Sequence, residues 1–323
     1  MQKGQVKLFM KKKTIVVALG GNAINRPGQR GTAEEQFANV RNTTYQIAKM
    51  VKEGHRVIVT HGNGPQVGTI LIQQEAGSKQ VPPMTLDICG SQTQGQIGYM
   101  VQQSMMNDLK AAGVEKTVVT VVTQVLVDKA DPAFTQPTKP VGPFFNETHA
   151  KEMMAKGENW IEDAGRGWRK VVPSPKPMGI VEIEAIKALA EAGFIVVASG
   201  GGGIPVVQNA DGTYTGVEAV IDKDRAGEVL AEKVKADIFM ILTDVPYAAI
   251  HYGKPEQKNL ETVTLREMKQ YAAEGHFKAG SMGPKVEGAM RFVEGGGEKA
   301  IIASLDHALE ALNSHKGTVI VRG

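Results

Sequence analysis

Six short, near-continuous apolar runs recur along the chain: Ile15 to Leu19, Val57 to Val59, Phe194 to Val197, Ile238 to Leu242, Ala300 to Ala303 and Thr318 to Val321. Runs of that length suit strands buried on both faces. Amphipathic stretches of helical length lie between them, such as Ala33 to Lys52, which a Thr32-x-x-Glu35 capping box opens and Gly54 stops. Strand, helix, strand order implies an α/β fold, a three-layer αβα sandwich around a mostly parallel sheet. The 323 residues equal about two average domains, yet α/β folds of this size often close around one sheet, and 13–323 reads as one domain.

The stretch 127–179 breaks the rhythm. It holds seven of the fifteen prolines (132, 137, 140, 143, 173, 175 and 177) and both tryptophans, Trp160 and Trp168. It reads as a small subdomain inserted into the scaffold, with Phe144 and Phe145 adding apolar surface for a packing cluster; the alternative is a long ordinary loop. Its proline clusters read as stiff connections on which a lid could swing. Residues 1–12 read as a frayed leader; the three lysines and strong strand that follow Met10 leave a translation start there as the alternative.

The charge balance excludes some classes of partner. A formal net charge of +3, with no like-charge run longer than Lys11-Lys12-Lys13, is not built to coat nucleic acid or an anionic membrane. The single cysteine, Cys89, excludes an intrachain disulfide and any Cys-x-x-Cys motif, which points to a reducing, cytoplasmic setting. Met100, Met105 and Met106 fall in a long helix from Leu86 to Leu109, as core residues or as a subunit face that would make a two-fold symmetric dimer.

Three glycine-rich segments follow strands: Gly20-Gly21-Asn22, Gly62-Asn63-Gly64-Pro65 and Gly200 to Gly203 with Ile204-Pro205. In a parallel sheet the C-terminal strand ends line one crevice, where bare amides next to helix starts bind anions. Any one of these loops could be a plain turn or cap; three together favour a phosphate cradle. No G-x-x-x-x-G-K-[ST] occurs, and the spacing Gly62, Gly64, Gly68 misses the dinucleotide fingerprint by one residue. A phosphoryl group in transfer needs cations. Lys223, between Asp222 and Asp224, and Lys285, after Met282-Gly283-Pro284, both sit at helix starts, where a lysine opposes the macrodipole. As solvated surface lysines they would need no explanation. His61 is as readily a structural hydrogen bonder as a site residue, and no histidine pair has metal or triad spacing, so no protein-held metal is expected.

These segments, with Thr93-Gln94-Gly95, Pro137-Thr138-Lys139-Pro140, the long block from Glu162 to Pro175 and Ile221-Asp222-Lys223-Asp224, make the chain resemble the carbamate kinases of the amino acid kinase fold family from about residue 13 to the C-terminus. The Glu162 to Pro175 block is highly specific; the glycine loops match many kinases of the fold. The resemblance implies a reversible reaction in which carbamoyl phosphate and ADP give ATP and carbamate with Mg²⁺, in arginine or carbamoyl phosphate catabolism. It assigns Lys223 and Lys285 to the transferring phosphoryl group and Asp224 to orienting them. Lys139 would reach over the acceptor from the insertion. Gly20, Gly21, Asn22, Gly62, Asn63 and Gly64 would hold phosphate and carbamate, together with Gly201 and Gly202. Thr243, Asp244, Tyr247 and Met282 would lie by the adenine.

Many relatives of the fold resemble this first strand but end it Lys-Leu-Gly-Gly; here it ends Ala18-Leu19-Gly20-Gly21, so the missing charge falls to Lys223. Carbamate is already an anionic nucleophile, so its transfer needs no general base, only alignment and charge neutralisation. Two rivals remain: another kinase of this fold acting on a different small acid, and a non-catalytic sensor of ATP or carbamoyl phosphate. The first conflicts with Ala18 and the Glu162 to Pro175 block, the second with the retention of both lysines.

Overall fold

A computed structural model describes residues 12–163, 165–278, 281–314 and 316–323. The leader, but for Lys12, and the question of Met10 as a start lie outside these residues.

All six apolar runs are strands of one eight-stranded sheet. Across it the order is Thr262–Thr264, Thr318–Val321, Lys299–Ser304, Ile238–Thr243, Thr14–Leu19, Arg56–His61, Ile195–Val197 and Val118–Thr120. Every neighbouring pair is parallel except Lys299–Ser304 with Thr318–Val321. The first strand sits in the middle, with Val17 opposite Met240 on one side and Val59 on the other.

Strand alternation divides the core in two. Ile15, Val17 and Leu19 pack with Val40, Ile47, Ile97, Met105 and Leu312 from helices Ala33–Lys52, Leu86–Ala111 and Ala308–Ser314. Val16 and Ala18 face the other layer, formed by helices Ile183–Glu191, Lys223–Lys233, Leu265–Ala273 and Met282–Glu294. Helix Ala33–Lys52 begins as expected: Thr32 accepts from the Glu35 N–H, and the Glu35 carboxylate accepts from the Thr32 N–H.

The insertion has a defined neck. Strands Gln124–Val127 and Pro177–Ile180 pair antiparallel, with Leu126 opposite Gly179 and Val127 opposite Pro177, inside a four-stranded sheet completed by Ile204–Gln208 and Tyr214–Gly216. Beyond the neck, Lys139–Phe145, Trp168–Val172 and Trp160–Glu162 form an antiparallel three-stranded sheet beside helix Glu147–Met154. Phe145 stacks on His149 at 4.3 Å and meets Trp160 edge-on at 5.3 Å, so an aromatic cluster does hold this small unit. Phe144 does not join it; the ring lies under the guanidinium groups of Arg166 and Arg169.

The prolines divide between strands and connections. Pro140 and Pro143 lie within the edge strand Lys139–Phe145, where a missing N–H costs no ladder bond, and Pro177 opens a neck strand. Pro132, Pro137, Pro173 and Pro175 lie in the two segments that connect the neck to this small sheet.

Candidate active site

The strands Thr14–Leu19, Arg56–His61 and Ile195–Val197 are immediate neighbours, so the three glycine loops at their C-terminal ends converge. They form one wall of a cavity of about 290 Å³, lined by Gly21, Gly62, Asn63, Gly64 and Gly201. Two positions on this wall leave little room for a side chain. Gly201 has φ +68, and a Cβ there would stand 2.3 Å from the Asn63 amide; a Cβ on Gly62 would press to 3.0 Å on the Lys223 stem. Asn63 caps helix Gly64–Gly77 without a side-chain bond to it, donating its amide instead to Thr93 at 2.8 Å. The helix start is thus left open to an anion.

The opposite wall carries the charge. Lys223 is the first residue of helix Lys223–Lys233 and Lys285 the fourth of helix Met282–Glu294. Between them lies Asp224, only 3 % exposed, whose two carboxylate oxygens take one ammonium each: Lys223 at 2.5 Å and Lys285 at 3.3 Å. One buried carboxylate thereby holds two lysines side by side and faces both into the cavity. Burial pulls the Lys285 ammonium below the usual lysine range, the neighbouring Lys223 charge adds to this, and Asp224 opposes it.

Lys139 reaches the same cavity from the insertion, its ammonium 3.0 Å from Asp222. Asp222 does double duty. Its other oxygen caps helix Lys223–Lys233 by accepting from the N–H groups of Asp224 and Arg225. Burial would raise the Asp222 carboxyl, but the Lys139 and Lys223 charges and the Asp224 N–H outweigh it and hold the group below the ordinary aspartate range.

Sequence reading missed two residues here. Arg169 lines the cavity, donates through Nε and Nη2 to the Gly142 carbonyl at 3.2 and 3.0 Å, and lies near Asp163. It stands in the Glu162 to Pro175 block, yet its direction depends on the pairing of strand Trp168–Val172, which the one-dimensional pattern does not reveal. Asp222 was visible only as a neighbour of Lys223; its hold on Lys139 spans 83 residues. Around the cavity four cations thus face two carboxylates, and both carboxylates already have ammonium partners.

Other residues fall to the side. Gly20 donates its N–H to Leu242, and Gly202 is packed so closely on Ile221 that a Cβ would meet its carbonyl at 2.3 Å; both shape the loops without lining the cavity. The Asn22 amide bonds to Asp244, and these two line a second cavity of about 330 Å³ with Thr243 and Ser304. Tyr247 and Met282 line neither cavity; Met282 packs on the core layer beneath its helix. His61 is fully buried, its Nδ1 is 3.0 Å from the Gly62 carbonyl, and burial lowers its pKa to about 4. It is therefore a neutral prop for the glycine loops at pH 7.

The insertion is docked on the scaffold. Val141 and Val172 are buried with Val67, Ile70, Leu86 and Cys89, and a Cβ on Gly68 would stand 3.2 Å from the Gly142 Cα. Cys89 is packed in this cluster, and burial raises its thiol pKa, which disfavours the thiolate.

A central parallel sheet, three glycine loops at its C-terminal edge and a carboxylate-bridged lysine pair define a phosphotransferase of the amino acid kinase type. The chain belongs to the amino acid kinase family, whose model matches residues 13–304. Its place there is among the carbamate kinases. It is 60 % identical over 315 residues to the carbamate kinase of Thermococcus kodakarensis, covering 96 % of this chain and 99 % of that one. It is 56 % identical over 313 residues to that of Pyrococcus furiosus, with 96 % and 99 % covered. A solved structure of the Giardia lamblia carbamate kinase bound to AMP-PNP superposes with a TM-score of 0.92 at 46 % identity, covering 97 % of this chain and 99 % of that one.

Proposed function

We propose that this chain transfers a phosphoryl group reversibly between ATP and carbamate, so that carbamoyl phosphate and ADP give ATP and carbamate. The observation that carries the reading is the pair Lys223 and Lys285 held on Asp224 across from the glycine loops. Two ammonium groups at fixed separation, opposite free amides, suit a transition state whose charge spreads over several phosphoryl oxygens. Among the described residues that line the cavity, both carboxylates are held by lysines and none is free to remove a proton, and carbamate has none to lose at its nucleophilic oxygen. Lys139 and Arg169 are suited to orient the acid, and Asn22, Thr243 and Asp244 to meet the nucleotide. The paired lysines weigh against a mere sensor, and Ala18 against a kinase that draws its charge from the first strand.

Mg²⁺ fits this donor set as an ion carried in on the nucleotide. Among the described residues no three His, Cys, Asp or Glu gather around a metal position, and both cavity carboxylates are held by lysines. Bound there, the ion would supply further charge neutralisation to the phosphoryl group in transfer. ATP formation from ADP and added carbamoyl phosphate should require Mg²⁺ and stop on chelation with EDTA; faster turnover with another acyl phosphate would reassign the acid.

The setting we propose is cytoplasmic, in catabolism of arginine or carbamoyl phosphate. Its support is the buried free thiol and the absence, among the described residues, of a helix long and apolar enough to cross a membrane. We read 13–323 as one domain with 127–179 as its lid. We also read the chain as a two-fold dimer. Of the three methionines, Met100 and Met105 are core, whereas Met106 is 40 % exposed with Ile88 and Tyr99. Intervals of 11 and 7 residues put these three on one stripe of helix Leu86–Ala111, an apolar face suited to a second copy. Sedimentation should give twice the monomer mass at micromolar protein; monomer alone would refute the dimer.

A further inference from the structure

We propose that Gly288 is a positioning residue for phosphoryl transfer: the absence of a side chain there lets helix Met282–Glu294 lie against the Asp224 carbonyl and so sets the height of Lys285 over the Asp224 carboxylate. The proposal rests on the phosphoryl-transfer reading above and deepens it.

The two lysines arrive on two different helices, so their separation is only as fixed as the seam between those helices. At the centre of that seam is Gly288. A Cβ built there would stand 3.0 Å from the Asp224 carbonyl oxygen and 3.5 Å from its carbon, and those atoms belong to a helix backbone that cannot step aside alone. Lys285 is three residues earlier, on the same helix face. Its ammonium is 3.3 Å from Asp224, already long for a charge-assisted bond, so an outward shift of a few tenths of an ångström would break it.

The partner helix is seated in the same manner. A Cβ on Gly227 would stand 3.2 Å from the Phe239 ring and 3.3 Å from the Thr60 methyl, so helix Lys223–Lys233 lies directly on the sheet, beside the strand that ends at His61. At the rim, Glu287 takes Arg225 at 3.1 Å and Arg291 at 2.6 Å, which ties the two helices against tilting. Sheet, Gly227, Asp224, Gly288 and Lys285 therefore form one stack of close contacts that ends at the cavity between the lysines and the glycine loops.

The test is a set of kinetic variants read as ATP formation from carbamoyl phosphate and ADP, with thermal melting alongside. Gly288→Ala should lower kcat about tenfold, the scale of a small misplacement of a catalytic group, and leave KM for ADP within about twofold. In a Lys285→Ala background the same change should alter kcat by less than about twofold, because the group it positions is gone. Gly98→Ala serves as the packing control on the other helical layer, where a Cβ would meet the Thr120 methyl at 2.3 Å: it should lower the melting temperature and leave kcat unchanged. Should Gly288→Ala not fold, Glu287→Gln loosens the same seam, and its kcat loss of about threefold should likewise vanish without Lys285. Equal losses in both backgrounds, or full kcat in the single variants, would overturn the positioning role. A wild-type protein that makes no ATP would overturn the underlying reading instead.

Discussion

Lys285→Ala and Lys223→Ala should each lower turnover by roughly two to three orders of magnitude, equivalent to about 3 to 4 kcal/mol of transition-state stabilisation lost with one charged donor. Both ammonium groups rest on the same carboxylate, Asp224, and face one cavity. The loss should appear in kcat, while KM for ADP changes little, because these groups act on charge that develops during transfer. Calorimetry should still find nucleotide binding. Near-normal turnover in both variants would remove the assigned roles and leave the lysine pair as a structural clamp.

The second large effect belongs to the insertion. Removing residues 129–176 and bridging the gap with a short glycine-serine linker should leave ADP binding intact and abolish most phosphoryl transfer. The ends are placed for such a bridge: Val127 is opposite Pro177 in the neck, so few residues are needed to close it. What is lost is the wall that carries Lys139 and Arg169, and with it the exclusion of water, which attacks both carbamate and carbamoyl phosphate. The deletion also uncovers Val67, Ile70 and Leu86, so it should cost some stability, which a melting curve would separate from the catalytic loss. Lys139→Ala should act more mildly, chiefly as a raised KM for the acid, since Asp222 then loses its ion-pair partner but keeps its bonds to the helix start. A lid-less protein that folds and works at close to the full rate would reduce the insertion to decoration.

Much of this is legible in the sequence alone, and the reasons are local. A run such as Ile15 to Leu19 can satisfy itself only as a strand covered on both faces, and it is the centre of the sheet. The Thr32-x-x-Glu35 box announces a helix start because both of its bonds are made within one turn. The strands Val118–Thr120 and Thr262–Thr264 escaped notice because three residues carry too little pattern; their partners, not their sequences, make them strands.

The site divides in the same way. Lys223 and Lys285 stood out because a lysine at a helix start is locally unfavourable, so its presence signals another demand. Asp222 and Arg169 did not stand out, because what distinguishes them is a partner far along the chain, Lys139 in one case and the Gly142 carbonyl in the other. Asn22 illustrates the converse. Its place in a glycine loop suggested the phosphate, yet its amide turns to Asp244 across 222 residues. Proline clusters likewise mix two settings, Pro140 and Pro143 in an edge strand and Pro173 and Pro175 in a connection, since composition cannot distinguish an edge strand from a linker.

The measurement that bears most directly on the account is formation of ATP by the purified, folded protein from ADP, Mg²⁺ and carbamoyl phosphate, with Lys285→Ala run beside it at equal concentration. The account predicts ATP in proportion to enzyme and to carbamoyl phosphate consumed, reduced at least about a hundredfold in the variant. No ATP above the enzyme-free background, from wild-type protein that binds ADP, would contradict it.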